Sequence, residues 1–403
     1  MPWKNLTHED ERRKFCVAAA ADGVSFAALC RDYGVSRKTG YKWKQRYEQD
    51  GKHGPELRSR RPQRLQSWPA KWRRRLLAWR RQRPSWGGRL LWTKLRKQWP
   101  GARCPAVRTL ERWLAQAGCG RRKRRQPPGP QLVRPRHLLA VRPNDVWAVD
   151  DKGPLTMMGR TIEPLTVLDL ASRCGLAARV LPANNYRHTR RVLLELFADF
   201  GLPRAIQVDN GPPFGGSGAR GLSRLTAEWV QLGIQVQFSR PASPQDNPEL
   251  ERWHRTLQGD LRWFASRHGE TLNQRLERIL RCYNTERSHS SLQGQFPADC
   301  YRPSRRRYRG VHPRIYPKTW ITVIPNSTGR VWWAGRQCSL GRAFFGQRLG
   351  LRPINSGHWE VYLDYVLLGV LVDGDEGGLR KVALTAPPVS APNKPDGEGS
   401  ALP

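Results

Sequence analysis

The chain has 403 residues and carries 71 Lys and Arg against 33 Asp and Glu, a formal net charge of +38. That length supports several folding units and excludes a lone small module. A 38% hydrophobic content with 17 Trp excludes a disordered basic tail. So large an excess of cations on folded surfaces points to a polyanionic partner.

No stretch of about 18 uncharged apolar residues occurs, so no membrane partner is expected. The polar start MPWKNLTHEDERRK lacks the apolar core of a signal peptide, which leads to a cytoplasmic expectation. Eight cysteines (Cys16, Cys30, Cys104, Cys119, Cys174, Cys282, Cys300, Cys338) are dispersed with no CxxC pair. They read as small hydrophobes kept reduced.

Charge marks the first boundary: residues 1–140 hold 36 Lys and Arg and nine Asp and Glu, leaving only +11 for the other 263. Within 1–60, SFAALCRDYGVSRKTGYKWKQRY has helix-turn-helix grammar. Phe26, Leu29 and Cys30 supply an apolar face, Gly34 a left-handed turn, and Ser36 a cap for the next helix. The start of such a second helix enters the major groove, so Ser36, Arg37, Lys38, Thr39 and Lys42 are candidate DNA contacts, with Val35, Tyr41 and Trp43 partly facing the core. A second helix-turn-helix-like DNA-binding unit is expected over 68–120. Its last helix begins near Ala106, alternating Leu110, Trp113 and Leu114 with Arg108 and Arg112, further candidate DNA contacts. Trp72, Trp79, Trp86, Trp92, Trp99 and Trp113 recur at helical spacings and read as core. RRKRRQPPGPQLVRPR combines repulsion with proline stiffness, a basic linker over 121–140.

Beyond it, 141–305 alternates short β-rich runs with helical patterns, an α/β domain with a helical extension. From 315 to 376, WITVIPN, RVWWAG, RLGLRPI, HWEVYLD and VLLGVLV predict a small antiparallel β-barrel, whose Trp320, Trp332, Trp333, Arg330, Arg336 and Arg348 are candidates to bind DNA or a second protomer, with the core as the competing place for its tryptophans. Residues 385–403, rich in Pro, Gly and Ser, read as a disordered tail.

Three acidic positions stand out in the α/β region. Asp150 ends the strand DVWAVD, Asp209 ends AIQVD before the turn NGPPF, and Glu251 sits in PQDNPELERWHRTLQGDL, a helix that Asn247 is placed to cap. Carboxylates at strand ends, closed by one on a helix, suit hard cations. Phosphodiester chemistry must activate an attacking oxygen, stabilise a leaving oxygen and offset charge on phosphorus. Two Mg²⁺ ions about 3.5–4 Å apart, or Mn²⁺ in their place, meet all three needs. Asp151 should point to the opposite strand face, and Glu249, two residues from Glu251, should face elsewhere. His254 and Arg255, one turn beyond Glu251, are candidates to contact the scissile phosphate of DNA or to orient a water, with packing or structural hydrogen bonds as the competing role of both. Asn284, Arg287 and His289 either extend a basic surface toward DNA or form a solvated face.

WAVDDKGPL, QVDNGPPF and PASPQDNPELERWHRTL resemble the three catalytic blocks of insertion-sequence transposases with a retroviral-integrase core. LCRDYGVSRKTGYKW, PSWGGRLLWTKL and YNTERSHSSLQGQFPADCYRPS resemble the family's flanking segments, so the resemblance covers most of the chain. Two departures stand out: Asn247-Pro248 where the family has Asn-Gly, and a longer than usual spacing of 41 residues between Asp209 and Glu251. The resemblance implies a ribonuclease-H-like core with a mixed five-stranded sheet and an Asp150, Asp209 and Glu251 triad that is both catalytic and metal-binding. It also implies cleavage of double-stranded DNA at element ends and joining of the freed 3′-ends to target DNA. Two ends held together imply at least a dimer on DNA. The competing class is a catalytically inactive DNA-binding regulator derived from such an enzyme and using only the basic head; a ribonuclease or resolvase of the same fold leaves the two tandem helical units without a role.

Overall fold

The computed structural model describes residues 8–57, 67–120 and 139–381, apart from 152, 154, 158–159, 241–245, 313 and 376–377. Most of the expected linker and all of the expected tail fall outside them. The chain divides into two compact units, Met1–Trp68 and Pro69–Pro403.

In the first unit, helices α1 (His8–Ala19), α2 (Phe26–Asp32) and α3 (Arg37–Asp50) enclose Phe15, Cys16, Ala19, Leu29, Cys30 and Trp43. Gly34 takes φ +62° between α2 and α3, a conformation that costs an L side chain energy and glycine none. Ser36 caps α3 by accepting from the Thr39 N–H at 3.2 Å. Trp43 is buried as expected, whereas Tyr41 is exposed and stacks on Phe26 with ring centroids 4.2 Å apart.

The second unit opens with α4 (Ala70–Gln82), α5 (Gly88–Gln98) and α6 (Val107–Gln116). Leu76, Leu91, Leu95 and Leu110 are wholly buried, and Trp72, Trp79 and Trp86 are buried with them. Trp99 meets Trp72 edge-on and Trp79 face-on, so these rings fill a core rather than await bases.

A five-stranded sheet follows. Its strands are β1 (Val146–Asp151), β4 (Pro164–Asp169), β5 (Gly175–Val180), β6 (Ala205–Val208) and β7 (Gln235–Phe238); β2 (Leu155–Met157) and β3 (Arg160–Ile162) form a hairpin beside them. The order is β5-β4-β1-β6-β7, antiparallel through β5, β4 and β1 and parallel through β1, β6 and β7. β1 and β4 are buried along almost their whole length, as central strands covered on both faces must be. Helix α7 (Tyr186–Phe200) links β5 to β6, α8 (Arg224–Gln231) crosses from β6 to β7, and α9 (Pro248–Trp263), α10 (Leu272–Glu286) and α11 (Pro297–Cys300) come after the sheet. Trp147, Val149, Leu165, Phe197, Ile206 and Trp229 anchor the core.

The α4–α6 layer docks on this domain. Arg83 and Lys94 both pair with Glu286 on α10, the former at 2.7 Å, and the Ser85 hydroxyl donates to Asp260 on α9 at 2.7 Å.

The expected C-terminal barrel is corrected. Strands β8 (Ile321–Val323), β9 (Arg330–Trp333), β10 (Arg336–Ser339), β11 (Leu349–Asn355), β12 (His358–Leu363) and β13 (Val366–Val372) form an open sheet, β13-β12-β11-β8, and a separate β9-β10 hairpin. Among the described residues no ladder joins the two. Leu222, Ala227 and Val230, from α8 and the loop before it, share a core with Phe344, Leu349, Val361 and Leu371, so the surface of the α/β domain closes the apolar interior that a barrel would have closed on itself. Alternating strands need a partner layer, and one-dimensional alternation does not say which. All eight cysteines are free, five of them buried.

Candidate metal centre

The parallel register pairs Ala148 on β1 with Gln207 on β6. Two residues onward, Asp150 in β1 and Asp209 just past β6 leave the sheet at the carboxyl ends of neighbouring strands, where open α/β sheets bind their ligands. Asp209 is turned against a glycine: a Cβ at Gly211 would lie 3.0 Å from its Oδ2.

Helix α9 supplies the third side, and the start of α9 is pinned. The Gln207 side-chain amide donates to the Asp246 carbonyl at 3.0 Å, and the Arg240 guanidinium grips the Asp246 carboxylate at 3.0 and 2.7 Å. Pro248 occupies the first turn, where its missing N–H goes unneeded. Asn247 sits at the cap position, but its side chain makes no capping bond and Oδ1 is buried without a partner, which corrects the expected cap. Glu251 then lies in the first turn of α9, where the helix dipole favours a carboxylate.

Donor atoms of Asp150, Glu251 and His254 lie within 4.8 Å of one another. Asp209 stands outside this trio, yet its charge acts on both Asp150 and Asp151. Burial first, then Asp209, Asp151 and Glu251, push the Asp150 carboxyl up to about 7. Burial, Asp209 and Glu163 push Asp151 up to about 6. Strand alternation turns Asp151 away from Glu251 without removing it from Asp209, and its Oδ1 is buried with no partner. Crowded hard-oxygen donors, a raised carboxyl and an orphan carboxylate oxygen are a donor set that a divalent cation fits.

Of the two roles open to His254, phosphate contact and a structural hydrogen bond, the structure shows the hydrogen bond. The residue is 2% exposed, and Nε2 lies 2.7 Å from the Thr166 hydroxyl. That hydroxyl donates its one proton to the Asp150 carbonyl at 2.8 Å, so the imidazole must donate through Nε2. Thr166, directly opposite Asp150 on β4, is a residue that the sequence reading missed. Only the pairing register exposes it. Arg255 is exposed at the rim. Asn284 is taken out of the expected basic surface: its side chain accepts from and donates to the Gly175 backbone at 2.9 and 2.8 Å. Ser36, Arg37, Lys38 and Lys42 are exposed and Thr39 half-buried on α3, while Arg108 and Arg112 are exposed on α6.

The mixed sheet with carboxylates at adjacent strand ends is a ribonuclease-H-like integrase core, and residues 232–297 match the Integrase core domain family. Residues 8–55 match a Homeodomain-like domain, and 325–372 match the C-terminal domain of IS481 family transposases. Segments of the chain thus resemble insertion-sequence transposases and integrases in the core and in the C-terminal domain. It is 29% identical over 218 residues to an Insertion element IS476 uncharacterized 39.2 kDa protein of Xanthomonas euvesicatoria, covering 52% of this chain and 58% of that one. It is 24% identical to an Insertion element IS407 uncharacterized 31.7 kDa protein of Burkholderia multivorans, covering 47% of this chain and 67% of that one. The match thus spans less than two thirds of the first relative's length. Among solved structures, the HTLV-2 integrase catalytic core domain in complex with magnesium aligns with a TM-score of 0.34 at 15% identity, covering 40% of this chain and 99% of that one. No helix among the described residues is long and apolar enough to cross a membrane.

Proposed function

We propose that the chain is a DNA transposase that binds the terminal repeats of its element, cuts the strand at each end and transfers the freed 3′-hydroxyl into target DNA. The observation that carries this is the convergence of Asp150, Glu251 and His254 within 4.8 Å, with the charge of Asp209 beside them, in a chain of net charge +38. Nucleases of this fold share the acidic centre; the helix-turn-helix unit and the match to transposase C-terminal domains favour transposition.

Asp150, Asp209 and Glu251 would hold divalent metal, two Mg²⁺ ions or Mn²⁺ in their place, with Asp151 close enough to feel the charge of Asp209. When bound, such ions activate the attacking oxygen and offset the charge gathered on phosphorus. The chain's own residues do the rest. Thr166 and His254 lock the end of β1 to α9 and so set the spacing between Asp150 and Glu251. Arg255, exposed one turn beyond Glu251, meets a DNA phosphate. In the first step water adds to phosphorus at the element end and the P–O3′ bond breaks, leaving a 3′-hydroxyl and a 5′-phosphate. In the second that hydroxyl attacks a target phosphorus and gives up its proton, the target P–O3′ bond breaks, and the leaving 3′-oxygen takes up a proton from solvent, so one phosphodiester replaces another and a target 3′-hydroxyl is released. Ser36, Arg37, Lys38, Thr39 and Lys42, with Arg108 and Arg112, hold the duplex, and two chains bring two ends together on DNA. The bacterial relatives and the absence of a spanning helix among the described residues fit a cytoplasmic site of action.

The test is strand transfer on duplexes bearing the flanking element ends with Mg²⁺. Wild type is expected to join ends to target, while Glu251→Gln binds ends equally and joins none. Equal inertness of both proteins with intact end binding would assign the chain to the DNA-binding regulators.

A further inference from the structure

Beside the acidic centre lies a cluster of opposite sign. Arg252 follows Glu251 on α9, Arg173 stands in the turn between β4 and β5, and Arg287 caps the C-terminus of α10, two residues before His289. Arg173 reaches Glu249, in the first turn of the helix that carries Arg252, at 3.5 Å, and the charges of all three arginines act on both His289 and Tyr283. The Tyr283 and His289 rings meet edge to face, centroids 5.0 Å apart.

Little acidic charge answers this concentration of cations. Glu249 reaches Arg173 at 3.5 Å, and Asp260, which feels Arg287, is already bonded by Ser85. Arg287 Nη1 and His289 Nε2 are buried with no hydrogen-bond partner. An unmet buried donor on a guanidinium is costly, and crowding like charges around it adds to the cost. Burial and the three arginines hold the His289 pKa down at about 4, so the imidazole is neutral near pH 7. Arg173 adds a backbone observation: its φ is +60°, a region that glycine or asparagine occupies more cheaply, so the turn itself does not ask for arginine. Several guanidinium groups beside an imidazole match an anion with several acceptor oxygens.

We propose that Arg173, Arg252, Arg287 and His289 form a phosphate pocket that takes one backbone phosphate of DNA lying across the acidic centre. Its position next to Glu251 selects the phosphodiester over other oxyanions, and that choice of source rests on the transposase reading above. Occupation would pair Arg287 Nη1, offset the mutual repulsion of the arginines and fix the strand alongside α9.

Two measurements on the full chain test this. In the first, melting is followed in inorganic phosphate and in chloride of equal ionic strength. Phosphate should raise the midpoint of the wild type, and Arg173→Gly, which suits the left-handed φ, should abolish the response while melting normally in chloride. In the second, affinity for duplex DNA is measured against salt, and both Arg173→Gly and Arg287→Gln should lower the slope of log K on log salt by about one, the loss of one phosphate contact. Equal phosphate responses in wild type and Arg173→Gly would overturn the pocket. A lost phosphate response with an unchanged DNA slope would overturn the assignment to DNA. Glu251→Gln serves as the reference: with both responses intact and strand transfer absent even in the wild type, the transposase reading fails and the pocket stands.

Discussion

Replacing Asp150 by Asn tests how tightly the carboxylates are packed. In the folded protein the Asp150 carboxyl is held at about 7 against an ordinary 3.8. The full displacement corresponds to about 4 kcal/mol, at about 1.4 kcal/mol for each pH unit. Partial solvation and the titration of Asp151 in the same region reduce the working figure to about 2 kcal/mol. The sign follows from the protonated form being favoured by folding. Below 3.8 the carboxyl is protonated in both states and its contribution to stability is complete. As the pH rises, the unfolded chain gives up the proton first, and stability drains away until the folded carboxyl also ionises at about 7. In chelator, urea unfolding of the second unit should therefore show wild type losing about 2 kcal/mol relative to Asp150→Asn between pH 5 and pH 8. Mg²⁺ at pH 8 should return that stability to wild type, each tenfold excess over its Kd adding about 1.4 kcal/mol, and do little for the variant. Parallel pH profiles for the two proteins in chelator would refute the crowding of Asp150 with like charges.

Thr166→Val removes the hydroxyl shared by the Asp150 carbonyl and His254 Nε2 while keeping the volume; it should cost about 1–3 kcal/mol by urea titration and lower strand transfer, with Thr166→Ser restoring both. Glu286→Gln deletes the carboxylate on which Arg83 and Lys94 converge; hydrogen exchange should show α4–α6 opening more readily by about 1–2 kcal/mol with the central strands unchanged. Ser36→Ala removes the α3 cap and should destabilise the isolated melting of the first unit by about 1 kcal/mol. Lys42→Ala, at an exposed position on α3, should weaken DNA binding most at low salt and flatten its salt dependence; unaltered binding in a gel-shift titration would take α3 off the DNA.

Much of the local architecture was legible in the chain. Ser36 and Gly34 mark the turn of the first unit because a cap and a left-handed residue are local requirements, met within a few residues of sequence. Tryptophans at helical spacing were recognisable as core since periodicity encodes which face is buried. The strand-end aspartates and the helical glutamate were identifiable for a similar reason: buried strands and proline-started helices announce themselves, and a carboxylate at the end of either is conspicuous.

The tertiary structure decided what depends on partners far apart in sequence. Register placed Thr166 opposite Asp150 and brought His254 inward to meet it, which no spacing along α9 could indicate. Packing against α8 left the C-terminal strands as open sheets, since alternation specifies an apolar face but not the layer that covers it. Three arginines, spread from Arg173 to Arg287, act by charge on His289 because the fold brings α9, α10 and the β4–β5 turn close together. Charge acts through space, whereas periodicity and capping act along the chain, so the elements could be read from the sequence while the environment of each titratable group awaited the fold.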